Sequence, residues 1–112
     1  MIGSGGQLGW ELQRSLLPLG QVVGVDYPQV DLLDPGTVVG LIHQIAPDVV
    51  LNAAAYTNVD LAESEPEQAR AVNALAPGLI AGAARDLEAV MIHFSTDYVF
   101  DGARGPYREE DT

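Results

Sequence analysis

The chain has 112 residues, of which 47% are hydrophobic, and it carries a formal net charge of −11 with no cysteine. This length indicates one domain at most, and the lack of cysteine excludes disulfides and thiolate metal sites. The acidic charge disfavours nucleic acid and anionic membranes as partners, and no run approaches the ~18 apolar residues of a membrane span. Because the N-terminus lacks a signal-peptide pattern, we expect a soluble cytoplasmic protein.

A glycine motif opens the chain. Gly3, Gly6 and Gly9 form Gly-x-x-Gly-x-x-Gly, and apolar residues at helical spacing follow at once. Glycine lets the backbone approach a ligand without a Cβ, and the N–H groups of a following helix favour an anion. Taken alone, the motif fits a phosphate-binding turn and an ordinary glycine-rich turn equally well. Only Met1 and Ile2 precede it, so we expect a truncated first strand.

Three further buried strands are predicted from runs rich in β-branched residues, at 21–26, 47–52 and 89–94. The stretch 101–112 combines glycine, proline and charge and is predicted to be a loop. Strands that alternate with helices indicate a parallel sheet with right-handed crossovers. The sequence therefore predicts an α/β fold, an incomplete Rossmann-like doubly wound parallel sheet, with residues 1–112 as its dinucleotide-binding domain.

The helices between these strands carry start and stop signals. Asp34 is predicted to be the N-cap of the second helix, and Pro35 its first residue. The stretch Ser64–Glu67 matches a capping box at the start of a long helix. Pro77 lies inside that helix, so we expect a kink near Asn73.

Polar residues follow the predicted strands, at the edge where ligands bind to such sheets. Asp26 comes seventeen positions after Gly9, close to the spacing of an acid that binds the adenosine ribose. The alternative for Asp26 is a solvated loop acid. A ribose-binding acid favours NAD, because it repels a 2′-phosphate.

The stretch Ser95–Tyr98 fits either a helix cap or hydroxyls that polarise a carbonyl during reduction. His43 lies in a predicted helix and His93 in a predicted buried strand, and we interpret both as structural. No metal-ligand pattern is found.

Five blocks of sequence, in this order, resemble the dTDP-4-dehydrorhamnose reductases of the extended short-chain dehydrogenase/reductase family. They are Gly6–Leu12, Pro47–Thr57, Val59–Glu67, Val72–Ala74 and His93–Gly102. The resemblance extends over essentially all of the chain. It implies reduction of the 4-keto group of dTDP-6-deoxy-L-lyxo-4-hexulose (dTDP-4-dehydro-6-deoxy-L-mannose) to dTDP-L-rhamnose, with NADH or NADPH as the hydride donor.

The resemblance also implies roles for individual residues. The residues implied to contact the cofactor are Gly3, Gly6, Gln7, Leu8, Gly9, Asp26, Asp31, Leu32, Ala55, Tyr56, Thr57 and Phe94. Thr96 matches the catalytic Ser/Thr position, and Asp97 its neighbour facing the sugar nucleotide. Some relatives dimerise around a magnesium ion held by an acid at the position of Glu11, although a solvated helix acid is the simpler interpretation.

One feature departs from the family pattern. The family's proton donor is a tyrosine four residues before a lysine, and these 112 residues contain no lysine. We therefore expect the chain alone to be inactive and to represent the cofactor-binding part of the enzyme. Two alternatives stay open: a non-catalytic binding protein similar to the regulatory subunit of methionine adenosyltransferase, and another extended sugar-nucleotide reductase or epimerase.

Overall fold

The structure is a computed structural model that describes residues 1–111, apart from the side chain of Asp97. Its sheet contains two regular parallel strands, β1 (Val49–Asn52) and β2 (Val90–His93). On the other side of β1, Ile2 forms parallel bridges with both Asn52 and Val25. The spatial order is therefore Val25, Ile2, β1, β2, with the segment before the glycine turn in the middle. This arrangement confirms the predicted doubly wound parallel topology.

The predicted strand at 21–26 is wrong in extent, because only Val25 is paired as in a sheet. A regular strand needs a paired neighbour along its whole length, and Val25 is paired only with the single residue Ile2. Two residues before Val25, the carbonyl oxygen of Val23 accepts a hydrogen bond from the amino group of Met1 at 2.7 Å. Partial burial lowers the pKa of this amino group. The first strand is thus as short as the sequence predicts.

Helices connect these strands. The α-helices are α1 (Gln7–Leu16), α2 (Pro35–Ile45), α3 (Val59–Ala62), α4 (Pro66–Arg70) and α5 (Ala76–Asp86). Short 3₁₀ turns cover Leu17–Leu19 and Asp97–Val99, and a π-helical turn, Ala71–Leu75, joins α4 to α5.

The predicted cap of α2 is confirmed. Asp34 is the N-cap, its carboxylate accepts from the N–H of Gly36 at 2.9 Å, and Pro35 is the first helical residue. The predicted capping box is wrong, because Glu65 rather than Ser64 is the N-cap of α4 and no side chain caps it. The Ser64 hydroxyl instead donates to the carbonyl of Leu61 at 2.9 Å, at the end of α3, which the sequence analysis did not predict.

The core lies between the sheet and the pair α2 and α5. Its buried residues are Ile2, Val25, Val30, Val38, Ile42, Val50, Ile80, Ala83 and Ala84. Val49, Val90 and Ile92, which share the other face of β1 and β2, are exposed. Packing on this face holds Ile2 beside Asn52, the last residue of β1. The backbone that follows each of these two residues forms the candidate site.

Candidate functional site

Two of the three glycines of the Gly-x-x-Gly-x-x-Gly motif are closely packed against backbone atoms. Gly3 has a φ of +82°, and a Cβ there would lie 2.6 Å from the backbone nitrogen of Ala54. A Cβ on Gly9 would lie 1.9 Å from the carbonyl oxygen of Gly3. Both positions therefore require glycine, one for conformation and contact and the other for contact alone. Gly9 allows the turn to lie close to α1, and Gly3 allows it to lie close to the segment after β1.

Helix α1 begins directly at the turn. Gly6 is its N-cap, with φ −73° and ψ 167°, and no side chain in the described structure caps this end. A Cβ on Gly6 would meet only the carbonyl oxygen of Gly3, at 3.5 Å. The first N–H groups of α1 thus have no capping side chain among the described residues, and a helix start of this kind favours a bound anion.

Two side chains hold the peptide between Ser4 and Gly5 at both ends. The amide nitrogen of Gln13 donates to the carbonyl oxygen of Ser4 at 2.9 Å, and the N–H of Gly5 donates to a carboxylate oxygen of Asp26 at 2.7 Å. The other oxygen of Asp26 accepts from the N–H of Tyr27 at 2.9 Å. Sequence analysis predicted Asp26 as a ligand residue but missed its contact with the turn, and it missed Gln13. The spacing of Gln13 from the turn gives no local signal.

A cavity of about 210 Å³ lies at this edge of the sheet. It brings together five of the predicted cofactor residues, Asp26, Asp31, Leu32, Ala55 and Tyr56. The rest of its lining is Ile2, Tyr27, Val30, Ala54 and Val72. The carboxyl ends of the Val25 segment, Ile2 and β1 thus converge on one concave space, as the parallel topology requires. Its described lining carries two carboxylates and no basic side chain.

The segment after β1 is held by side chains on both sides. Asn52 is completely buried, and its side-chain oxygen accepts from the N–H of Ala54 at 3.2 Å. The Tyr56 hydroxyl donates to Glu65 at 2.7 Å, and this bond raises the pKa of Tyr56. Asn73 contacts both backbone groups of Tyr56. The wall of the cavity formed by Ala54, Ala55 and Tyr56 is therefore fixed in place.

His93 is exposed, so its predicted burial is wrong. It lies on β2, which has a neighbour on one side only among the described residues, and an edge strand is less covered than a central one. Its Nδ1 lies 3.2 Å from the side-chain nitrogen of Asn52. Because that amide nitrogen is a donor, Nδ1 acts as the acceptor and the ring proton is assigned to Nε2. The structural role expected for His93 matches this contact.

The other predicted residues whose side chains the structure describes are not part of the cavity lining. Thr57 follows Tyr56 at the exposed end of the segment after β1, and Phe94, which is 40% exposed, follows β2. Thr96 is exposed two residues further on, and its hydroxyl oxygen accepts from the N–H of Tyr98 at 3.2 Å. The side chain of Asp97 lies outside the described residues. Gly3, Gly6, Gln7, Leu8 and Gly9 belong to the glycine turn and the start of α1, and none of them lines the cavity.

A larger cavity, of about 640 Å³, lies at the opposite, amino-terminal ends of the strands. Apolar side chains such as Leu16, Val38, Ile42 and Val50 dominate its lining. Since the converging polar groups and the glycine turn lie at the other end of the sheet, we assign the candidate site to the smaller cavity.

Two features are absent from residues 1–111: a group of metal-ligating side chains and a membrane-spanning helix. Within residues 1–111, no group of three or more His, Asp or Glu side chains is arranged to hold a metal. Glu11 lies exposed on α1, and the magnesium prediction gains no support from its surroundings. In the same range, none of the helices is both long and apolar enough to cross a membrane.

These features define the class of protein: a parallel α/β domain of Rossmann type with a glycine turn and a cavity at the carboxyl edge of its sheet. Comparison with known proteins narrows this class. Residues 1–112 match the family model described as RmlD substrate binding domain, and the chain belongs to this family.

Similar proteins agree with this assignment. A protein of Burkholderia thailandensis named dTDP-4-dehydrorhamnose reductase is 49% identical over 110 residues, which cover 97% of this chain and 37% of that relative. A protein of Escherichia coli with the same name is 48% identical over 106 residues, covering 91% of this chain and 35% of the relative. The chain thus spans little more than a third of the length of these relatives.

Solved structures match the fold closely. The crystal structure of a hypothetical dTDP-4-dehydrorhamnose reductase from Sulfolobus tokodaii gives a TM-score of 0.89 at 41% identity, covering 99% of this chain and 44% of that one. A dTDP-4-dehydrorhamnose reductase from Bacillus anthracis, solved in complex with NADP, gives 0.85 at 36% identity, covering 92% and 37%. The predicted resemblance is therefore confirmed.

Proposed function

We propose that this chain forms the cofactor-binding part of an NAD(P)H-dependent dTDP-4-dehydrorhamnose reductase. The observation that carries the proposal is the 210 Å³ cavity, in which Asp26, Asp31, Leu32, Ala55 and Tyr56 meet from three separate segments. The names of the similar proteins and the NADP complex of the Bacillus anthracis relative support it. In this proposal residues 1–112 constitute one dinucleotide-binding domain.

The residues present fit a dinucleotide. The uncapped start of α1, with Gly6, Gln7, Leu8 and Gly9, offers N–H groups to a pyrophosphate. Gly3 keeps the turn close enough to the sheet for this approach, and Thr57 and Phe94 continue the cofactor-facing edge along the next two strands. Asp26 accepts hydrogen bonds from the adenosine ribose, while Asp31 and Leu32 border the adenine. A bound reduced nicotinamide supplies a hydride to the substrate carbonyl.

The remaining catalytic work falls to residues near the end of β2. We assign to the hydroxyl of Thr96 a hydrogen bond to the 4-keto oxygen of a dTDP-linked sugar, on which negative charge develops during reduction. Asp97 contacts the sugar nucleotide in this assignment. The tyrosine–lysine pair implied by the resemblance is not supplied by these residues, because they include no lysine. The chain therefore contributes binding and carbonyl polarisation, and homodimer formation belongs to the same proposal.

The cavity's charge favours NADH over NADPH in this proposal. Asp26 and Asp31 both line it, and the described lining contains no basic side chain. A ribose with a free 2′-hydroxyl can donate to a carboxylate, whereas a 2′-phosphate is repelled by it.

Cofactor titration of the intact protein tests the assignment of the site. We expect Asp26→Ala to weaken NADH binding about 10- to 100-fold, since charge-assisted hydrogen bonds to the ribose are lost. The matched control is Asp48→Ala, because Asp48 is an exposed acid at the opposite end of the same sheet. This variant should bind NADH as the wild type does. Equal NADH affinity of the wild type and Asp26→Ala would show that the ribose assignment is wrong.

Turnover tests the reaction. The complete reductase of which this chain is the proposed cofactor-binding part should oxidise NADH or NADPH with dTDP-4-dehydro-6-deoxy-L-mannose. Its Thr96→Val variant should have a kcat about 10²- to 10³-fold lower, while Thr96→Ser retains most of the activity. Cofactor binding without turnover of this sugar, but with turnover of another nucleotide-linked 4-keto sugar, identifies a different reductase or epimerase. Cofactor binding with no turnover of any such sugar identifies a binding protein.

A further inference from the structure

The peptide between Ser4 and Gly5 lies in the middle of the glycine turn, and a side chain binds each of its two polar groups. Its carbonyl oxygen accepts from the side-chain nitrogen of Gln13 at 2.9 Å, and its N–H donates to the carboxylate of Asp26 at 2.7 Å. The C=O and N–H groups of a trans peptide point in opposite directions. Gln13 and Asp26 therefore hold this peptide from opposite sides and select one orientation of it.

The other N–H groups of the turn are also bonded within the protein. Those of Gly3 and Ser4 donate to the carbonyl oxygen of Val25, at 3.0 and 3.2 Å, and that of Gly6 donates to the carbonyl oxygen of Gly3 at 3.3 Å. Within residues 1–111, the N–H groups at positions 7–9 have no such partner, because they belong to the first turn of α1. An anion at this end of α1 therefore depends on those groups and on a turn that keeps them in place.

Gln13 reaches the turn through space that Gly24 leaves open. A Cβ on Gly24 would lie 2.8 Å from the side-chain oxygen of Gln13 and 2.9 Å from the Cβ of Ser4. Gln13 is half-buried on α1, and side chains of a helix point toward its N-terminus, which brings this amide back to the turn. The Gln13 amide thus fills the space between the turn and the segment that leads to Asp26.

We infer that Gln13 is a positioning residue for the cofactor site, which holds the Ser4 carbonyl and so prevents rotation of the Ser4–Gly5 peptide. The inference rests on the proposed function. Without this bond the Ser4 carbonyl loses its partner in a half-buried place, and the peptide gains freedom to rotate. Rotation turns the Gly5 N–H away from Asp26 and breaks the bond that joins the turn to this acid. Fewer molecules then have the arrangement of turn and acid that binds a dinucleotide.

The test compares NADH and NADPH binding by the intact wild-type protein, Gln13→Met and Gln13→Ala. Gln13→Met keeps the length of the side chain and fills the space beside Gly24, but it has no donor for the Ser4 carbonyl. Gln13→Ala removes the bond and the packing together. The matched control is Gln44→Met, because Gln44 is an exposed glutamine on α2 that does not line the cavity.

Amide hydrogen exchange on the same four proteins separates a local effect from a general loss of stability. It is followed at Gly5 and at Ile2, whose N–H donates to the carbonyl of Leu51 in the sheet at 2.8 Å. We expect both Gln13 variants to bind the cofactor about tenfold more weakly, with faster exchange at Gly5 and unchanged exchange at Ile2. Gln44→Met should match the wild type in all of these measurements.

Should Gln13→Ala fail to fold, Gln13→Met provides the comparison. Unchanged cofactor affinity in a folded Gln13 variant overturns the inference but leaves the proposed function standing. Exchange that rises equally at Gly5 and Ile2 has the same meaning, because the substitution then weakens the whole domain. If the wild type binds neither NADH nor NADPH, the proposed function fails and the inference fails with it.

Discussion

Replacing Gly9 with alanine perturbs the junction between the glycine turn and α1. The added Cβ would lie 1.9 Å from the carbonyl oxygen of Gly3, 2.8 Å from the Gly3 carbonyl carbon and 2.9 Å from the Cα of Ser4. All three are backbone atoms, so no change of rotamer relieves the overlap. The turn and the helix must instead separate.

The cost follows from the size of this separation. Carbon and oxygen atoms in ordinary contact lie more than about 3 Å apart, so the turn or α1 must move by roughly 1 Å. Overpacking of a closely packed site typically costs 1–3 kcal/mol, and we expect about 3 kcal/mol here because rigid backbone must move on both sides. This is a large part of the ~5–15 kcal/mol that stabilises an ordinary domain.

Equilibrium urea unfolding, followed through Trp10 on α1, measures the effect. The matched control is Gly40→Ala, within α2, where a Cβ meets nothing within 4 Å. That substitution should stabilise the protein by about 0.5–1 kcal/mol, since alanine has the higher helix propensity. If Gly9→Ala unfolds at the same urea concentration as the wild type, the close approach of α1 to the turn is wrong.

Three further substitutions probe the turn and the helix ends. Gly6→Ala should change the free energy of unfolding by no more than about 1 kcal/mol, because its Cβ fits sterically. It should nevertheless weaken NADH binding by filling the space at the start of α1. Urea unfolding measures the first effect and NADH titration of the same protein the second. Asp34→Ala should destabilise α2 in a pH-dependent way: the Thr37 hydroxyl and the N–H of Gly36 lower the pKa of Asp34, so its stabilisation is present above about pH 4 and is lost as the pH falls through that lowered pKa. Urea unfolding of the wild type and Asp34→Ala across this range should show the difference shrinking in acid, and a constant difference would contradict the ionic cap. Ala46→Gly should raise the free energy of unfolding by about 0.5 kcal/mol, because Ala46 ends α2 with a φ of 46°, and thermal unfolding would reveal a decrease if the residue is not strained.

Local signals predicted most of the fold. Asp34 and Pro35 fix the start of α2 through contacts with their immediate neighbours. Pro77 interrupts the helical hydrogen bonds around it whatever the helix packs against, because it has no N–H. The alternation of strands and helices was sufficient to predict a parallel sheet, because strands joined through helices pair in parallel. Each of these features depends on residues close together in the chain.

The errors and omissions depend on distant partners. Ser64 has the pattern of a capping residue, but the unpredicted helix α3 lies just before it and takes its hydroxyl. His93 is exposed because of the position of β2 in the sheet, which the sequence of the strand does not encode. The contacts of Gln13 with Ser4 and of Asn73 with Tyr56 join segments whose proximity exists only in the folded chain.

Asp26 connects the fold of the site with its proposed chemistry. One carboxylate oxygen holds the N–H of Gly5 and the other the N–H of Tyr27, so the acid orders the turn before any ligand arrives. Each carboxylate oxygen has a further lone pair, and a ribose can therefore bind without breaking either contact. Because Gln13 holds the other end of the same peptide, side-chain contacts fix both ends of that peptide in the absence of a ligand. The alanine variant of Asp26 therefore removes two contacts at once, the hydrogen bond that orders the turn and the proposed bond to the ribose. Asp26→Asn separates them, because it can keep an acceptor for Gly5 while removing the charge that, in the proposed function, disfavours a 2′-phosphate.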